Sequence, residues 1–553
     1  MNKGRAMVQW AAPAALALLV MLPRLASPQF GLLDDGLTLE TGREMTGRWS
    51  GVLALIPETG RFFPAYWLVY SAVFAVVGVR PLAFFVVNVA VLAGLLAILT
   101  RLVRLSGGTA MQVAVALVVF ATCGPAVEAF YTLSKAEPLQ MIWIGVTLLA
   151  TAASAGEPRR GRRTAFVVAA ASALLLAYTT KETSIALIPI SLGWVVIEWA
   201  SGTRRPAARF ATTFAAINVM AAAAFVALRW RYAARPLAEG WYTRAYSFAP
   251  ETLGPAIFRI AAWIVRDFAF LLPLLAVAVV LLVQRDAPAR RAILYACVWM
   301  VGWLAVYAPW PATFEYYLLP FAFGAAIFAG AAVGGLARAG APAVSSVTRR
   351  AVWSALAASG LLWMAAVVNA AADGRVQLAV DRANTDAVDF LAGLPRGGRI
   401  VLNTTDAVEY IYELPMHLSE IKRRPDLVVQ PVGIAAPGAP SMADVVVATP
   451  TVTNRPGPTV RVAVYESGAR RDLSRLGEML RDGGELIYTT EQRVRVVELG
   501  LQRLLCRVAR RPFIDPSYCQ TDRGLVHAAT FVYAWQVHRL SSPPASRIAE
   551  TPR

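Results

Sequence analysis

The apolar residues of this chain gather into long unbroken runs. Eleven runs come close to about 20 residues, the length a helix needs to cross a bilayer. They lie at roughly 7–24, 82–100, 109–128, 138–155, 164–180, 184–200, 210–230, 259–283, 291–308, 316–336 and 350–370. A twelfth run at 63–79 is shorter and rich in aromatics, which predicts a helix lying in the membrane interface. After residue 371 the pattern changes. Short strand-like runs at 398–405, 426–432, 443–450, 459–467 and 483–499 alternate with helical stretches near 383–394, 405–416, 470–481 and 500–509. Strands alternating with helices predict an α/β domain. The expected organisation is a transmembrane domain over 1–371, with a first outer loop at 25–81, and a soluble domain over 372–553.

Charge orients these elements. Basic clusters sit at Arg101/Arg104, Arg159/Arg160/Arg162/Arg163, Arg204/Arg205/Arg209, Arg285/Arg290/Arg291 and Arg338/Arg349/Arg350, with Lys3 and Arg5 at the start. With 63–79 counted as interfacial, all of them fall on one side, the cytoplasmic one by the positive-inside rule. The N-terminus is then cytoplasmic and residues 372–553 lie outside. The 7–24 run is read as an anchor and not as a cleaved signal, because Arg24 and the stretch after it lack a clean small-residue cleavage site and further spans follow.

Composition agrees. The 553 residues are 57% hydrophobic and 16% charged, with a mean hydropathy of +0.52. Soluble domains carry about 25% charged residues, so a soluble enzyme is excluded. The net charge of +18 is mostly topological: residues 1–371 hold 30 basic against 15 acidic groups, and 372–553 hold 23 against 20. A nucleic-acid partner would need a basic face on a soluble module, and none stands out. Cys506 and Cys519 both fall in the outer domain, where an oxidising compartment permits a disulfide. Cys123 and Cys297 are read as small apolar residues of the spans. His417, His527 and His538 form no metal motif.

The candidate chemistry lies in the turns on the outer side. The first loop holds Asp34 and Asp35, then Glu58 and Arg61. Later turns hold Glu128 and Lys135, Lys181 and Glu182 in "YTTKETS", Arg244, and Glu315 and Tyr316 in "EYYLLP". Ionisable groups at membrane depth are costly and are usually functional. Solvated loop charges and an interfacial aromatic belt are the plain alternative. A carboxylate here can serve as general base toward a sugar hydroxyl. Cations suit a phosphate, and aromatic rings suit sugar faces or lipid tails.

Three features carry a resemblance over roughly 1–371: the Asp34–Asp35 pair in the first outer loop, the stretch "GRFFPAYWLVYSAVFAVVGVRPLAFFVVN" from Gly60 to Asn88, and "EYYLLP" from Glu315 to Pro320. Together they resemble the GT-C superfamily of polytopic membrane glycosyltransferases, which includes aminoarabinose transferases, protein mannosyltransferases and mycobacterial arabinofuranosyltransferases. The histidine-proline pair that such enzymes carry before the interfacial helix is replaced by Phe63–Pro64. The resemblance implies an inverting sugar transfer from a polyprenyl-phosphate donor to an envelope glycan, lipid or protein, at the outer face of a bacterial cytoplasmic membrane. It implies that Asp34 or Asp35 activates the acceptor or coordinates a divalent ion (Mg, Mn or Ca). Substrate contacts are expected from Glu58, Arg61, Glu128, Lys135, Lys181, Glu182, Arg244, Glu315 and Tyr316. A lipid or saccharide flippase and a non-catalytic envelope assembly protein are the rival readings. The chain shows no internal repeat of the kind many transporters carry.

Overall fold

A computed structural model of the chain describes residues 3–32, 34–47, 62–202, 205–232, 246–283, 287–310, 314–338, 346–403, 408–431, 445–453, 484–508 and 524–540. The helical part runs α1 (Lys3–Ala26), α2 (Asp35–Gly47), α3 (Pro64–Val77), α4 (Pro81–Leu105), α5 (Ala110–Ala121), α6 (Gly124–Tyr131), α7 (Ala136–Gly156) and α8 (Arg160–Thr180). It continues with α9 (Leu187–Ala200), α10 (Arg205–Tyr232), α11 (Pro250–Phe268), α12 (Leu271–Val283), α13 (Ala287–Tyr307), α14 (Leu319–Arg338) and α15 (Ser346–Ala392). Short 3-10 turns, Glu182–Ala186 and Glu315–Leu318, lead into α9 and α14.

Local sequence sets many of these starts. Pro64, Pro81, Pro125 and Pro250 occupy the first turns of α3, α4, α6 and α11, where a missing N–H costs nothing. Thr109 and Gln112 close a reciprocal capping box on α5.

Each of the eleven apolar runs is helical. Eight helices among the described residues are long and apolar enough to cross a membrane, or ten if each of two bent pairs is one span. The first run appears as the shorter apolar helix Ala11–Ala26. The runs 109–128 and 259–283, each expected as one span, are bent pairs of helices. α5 and α6 meet at 57°, and α11 and α12 at 79°. At the first break Pro125 cannot donate the backbone bond that would continue the helix. At the second, the charged pair Arg266–Asp267 ends α11 inside the protein, where both side chains are fully buried. α3 is 14 residues long, about 21 Å at 1.5 Å per residue, too short to cross alone.

α15 has 47 residues, roughly 70 Å, and runs out of the helical bundle into the C-terminal sheet. There Val376, Val380, Ala383 and Leu391 pack against Ile400, Leu402, Tyr410 and Trp535. The sheet comprises β1 (Arg399–Leu402), β2 (Val428–Pro431), β3 (Val445–Thr453), β4 (Gly484–Leu499) and β5 (Val526–Leu540), in the order β2-β1-β3-β5-β4. β1 pairs parallel with β2 and β3, whereas β5 pairs antiparallel with β3 and β4. Asn384 of α15 ties the sheet down by accepting from Tyr533 and Trp535, each at 2.9 Å. α16 (Val408–Met416), a π turn (His417–Ile421) and α17 (Arg503–Val508) complete the domain.

β5 is a strand that the run pattern did not predict. The expected strand 459–467 and helix 470–481 lie outside the described residues. So does Cys519, and with it the expected disulfide to Cys506.

Candidate functional site

By helix alternation the arginine-rich α4–α5 and α7–α8 connections share one end of the bundle. The residues of interest lie at the opposite end, beneath the sheet domain.

Asp34 and Asp35 stand at the entry to α2, but their surroundings differ. Asp35 is buried. Its carboxylate accepts from the Gly31 N–H at 2.7 Å, and the Ser134 hydroxyl lies 3.2 Å from its other oxygen. Asp34 has φ 66°, a left-handed conformation that aspartate tolerates better than most residues. Its side chain is 48% exposed and pairs with Lys135 Nζ at 2.7 Å. One aspartate therefore braces the loop, and the other presents a carboxylate at the surface of the site.

Lys135 precedes α7, and its ammonium lies 4.6 Å from the Tyr316 ring centroid. Lys181 ends α8, with its ammonium 4.2 Å from the Tyr317 ring and 5.7 Å from the Tyr316 ring. Its carboxylate partner is Glu137 in the first turn of α7, not its neighbour Glu182. Tyr316 and Tyr317 meet edge to face, with centroids 4.5 Å apart, and Tyr317 stacks on Tyr307 at 5.3 Å. Two ammonium groups thus flank one tyrosine pair, with the Asp34 carboxylate beside them. Cation–ring contacts of this kind gain strength as water is excluded.

The other expected contact residues take different places. Glu128 accepts from the Tyr316 backbone N–H at 2.8 Å, which orients the tyrosine turn. Glu182 accepts from the Phe62 N–H at 3.1 Å, joining the α8–α9 turn to the chain before α3. Glu315 enters a buried ion cluster centred on Arg266. Arg266 lies 3.2 Å from Asp267 and 3.5 Å from Glu315, is ion-paired with Asp373, and is 3.9 Å from Glu498. Glu498 in turn pairs with Arg503 at 2.7 Å. Gly124 leaves the room this cluster needs, because an added Cβ would collide with Glu315 Oε1. Glu58, Arg61 and Arg244 lie outside the described residues. Among the described residues, no three His, Cys, Asp or Glu side chains are grouped to hold a metal ion.

Sequence reasoning missed Arg266 and Glu413 as members of this region. For Arg266 a signal existed: two adjacent charges inside an otherwise apolar run. Glu413 reaches the site from the C-terminal domain, with its oxygens 2.6 Å from Gly36 N and 3.2 Å from Leu37 N. Burial and the charges of Asp34 and Asp35 push its pKa well above the ordinary carboxylate range, against the pull of those two backbone donors. His417, one turn further on, is buried, and the cost of charging it there lowers its pKa to about 4.

No protein-family model matches the chain, and no curated protein matches it in sequence. Among solved structures, ArnT from Cupriavidus metallidurans in the apo state is similar over 96% of this chain and 98% of that one, at 15% identity and a TM-score of 0.50. The structure of ArnT from the same organism bound to undecaprenyl phosphate aligns over the full length of both chains, at 17% identity and a TM-score of 0.46. At these identities the likeness is one of fold: the chain is a polytopic α-helical membrane protein whose fold is similar to that of ArnT, with a strand-containing C-terminal domain.

Proposed function

We propose that this protein is a membrane glycosyltransferase that moves a sugar from a polyprenyl-phosphate donor to an envelope glycan, lipid or protein. In this reading residues 1–371 form the catalytic membrane domain, residues 372–553 lie outside the cytoplasmic membrane, and the N-terminus is cytoplasmic. The observation that carries the proposal is the half-exposed Asp34 carboxylate held 2.7 Å from Lys135, beside Lys181 and the Tyr316–Tyr317 pair.

The acceptor hydroxyl oxygen attacks the anomeric carbon from the face opposite the phosphate. As that bond forms, the bond from the anomeric carbon to the phosphate oxygen breaks, the configuration inverts, and the hydroxyl proton passes to Asp34. Polyprenyl phosphate departs as an anion, so no strong general acid is required. An ammonium group carries three donors, so Lys135 and Lys181 can hold phosphate oxygens while keeping their carboxylate partners. Asp35 acts through the loop by fixing Gly31 and Ser134. The donor set suits a divalent ion poorly, since the Asp35 oxygens face protein donors and Lys135 already sits against Asp34. No step is therefore routed through a metal.

The carboxylates and ammonium groups of the candidate site, Asp34, Lys135, Glu137 and Lys181, belong to the turns that join helices and to their first residues, which supports transfer over transport. The test is incubation of purified protein with a panel of radiolabelled polyprenyl-phosphate sugars and envelope extract. Label moving from lipid to an acceptor fraction is the expected result. Donor crossing liposomes without transfer would support the flippase instead.

A further inference from the structure

A helix leaves its first four backbone N–H groups without intrahelical partners. The usual remedy is local: an Asp, Asn, Ser or Thr just before the helix accepts one of them. α2 has such a residue in Asp34, yet the Asp34 carboxylate turns away to Lys135. The donors are satisfied from 377 and 376 positions further along the chain. Glu413 Oε2 accepts from Gly36 N at 2.6 Å, and Oε1 lies 3.2 Å from Leu37 N.

The surroundings are shaped for this contact. Glu413 and His417 are both buried at 3% exposure. At Gly36 an added Cβ would lie 2.8 Å from Glu413 Oε2, 2.9 Å from His417 Cδ2 and 2.9 Å from Met416 Cβ. Only glycine permits α16 to approach so closely. Further along α2, Arg43 Nε donates to Glu420 at 2.8 Å. Glu413, His417 and Glu420 recur at helical spacing, so one face of α16 and its π turn lies along α2. The other end of the loop is held by α15. Asp381 pairs with Arg24 at 2.7 Å, both fully buried, and Arg382 donates to Ser27 Oγ at 2.9 Å.

We propose that Glu413 is a positioning residue: the C-terminal domain caps α2 in place of Asp34, and so frees the Asp34 carboxylate to face Lys135 and the site. Its consequence for catalysis rests on the transfer reading above, whereas the cap itself does not. On this proposal, losing Glu413 leaves the Gly36 and Leu37 N–H groups without that acceptor, and Asp34, at the head of the helix, turns back to cap them.

The test uses the full chain in nanodiscs, as wild type, Glu413→Ala and Glu413→Gln. Glutamine keeps one acceptor oxygen of the two. Amide exchange of 34–40, read by mass spectrometry, should quicken about tenfold in Glu413→Ala and less in Glu413→Gln. Carbodiimide labelling of Asp34, read against Glu44 as an internal standard, should slow several-fold in Glu413→Ala as the carboxylate turns inward. With a donor that wild type accepts, kcat should fall about tenfold while the donor KM holds, and Glu413→Gln should recover part of the loss. Unchanged exchange at 34–40, unchanged Asp34 labelling, or an equal loss of kcat in both variants would each overturn the proposal. Exchange and labelling need no substrate, so failure of wild type to transfer any sugar would count against the functional reading alone.

Discussion

Arg266→Met is the sharpest structural perturbation available. Arg266 is fully buried and is the guanidinium shared by Asp267, Glu315, Asp373 and Glu498, all of them 6% exposed or less. Of these four carboxylates, Glu498 also pairs with a second guanidinium, that of Arg503, at 2.7 Å. Removing one member of a buried ion pair costs about 3–5 kcal/mol, because the other charge is left uncompensated. Here several are left at once, so that figure is a lower range. The cluster lies against Cys123–Gly124, and the Cys123 thiol is 3% exposed. Alkylation of Cys123 therefore reports local opening. At about 1.4 kcal/mol per decade, 3–5 kcal/mol corresponds to roughly 10²- to 4 × 10³-fold faster alkylation under conditions where opening is a pre-equilibrium. The assay is quantitative mass spectrometry of the Cys123 peptide in detergent, with Cys297 as an internal reference. Adding Asp373→Asn to Arg266→Met should slow the reaction again, since it removes one of the stranded charges. A rate within about threefold of wild type in the single variant would refute the argument, because a loss that small is below the cost of one unpaired buried charge.

Three further outcomes follow. Lys181→Met combined with Glu137→Gln removes both charges of a buried pair, so the fold should persist while donor affinity drops by about tenfold; wild-type affinity in a donor titration would reduce Lys181 to a structural role. His417 has a pKa lowered by burial to about 4 from its ordinary 6.5, so the unfolded chain binds its proton first and stability is lost as pH falls from about 6.5 to about 4, by roughly 3 kcal/mol. His417→Gln should flatten the melting temperature against pH over that window, and an unchanged slope would contradict the burial argument. An alkaline phosphatase fused after residue 553 should be active and a fluorescent protein there dark; the reverse would place the sheet domain and the candidate site in the cytoplasm.

Much of the helical architecture was legible because crossing a bilayer demands a run of apolar residues, and every such run here became helical, two of them as bent pairs. The breaks were harder to read. A window average over 259–283 does not register that Arg266 and Asp267 must find partners, and those partners come from α15, β4 and the turn before α14. β5 carried a usable signal: Phe531, Tyr533, Trp535 and Val537 alternate and are all fully buried. Strand alternation of this kind reads as one packed face. Asp34, Lys135, Lys181 and Tyr316 were visible as polar groups in outer turns. Their meeting depends on which turns the packing of α7, α8 and α14 brings together. The ion partner of Lys181 lies one helix away at Glu137, while Glu182 beside it accepts from the Phe62 N–H, a pairing that adjacency in sequence does not indicate. Glu413 was invisible for the same reason: its significance lies in a contact 377 positions back along the chain.

The central claim is that Asp34 receives the acceptor proton while Asp35 braces the loop. The direct measurement is the initial rate of sugar transfer from a polyprenyl-phosphate donor by Asp34→Asn and Asp35→Asn in nanodiscs, with donor affinity and amide exchange of 31–40 read on the same samples. Asp34→Asn should lose about 10²- to 10⁴-fold in rate with donor affinity and exchange close to wild type. Asp35→Asn should quicken exchange around Gly31 and lose rate in proportion to that loosening. An Asp34→Asn protein that keeps more than about a tenth of the wild-type rate, which is less than the loss of a general base produces, would contradict the assignment.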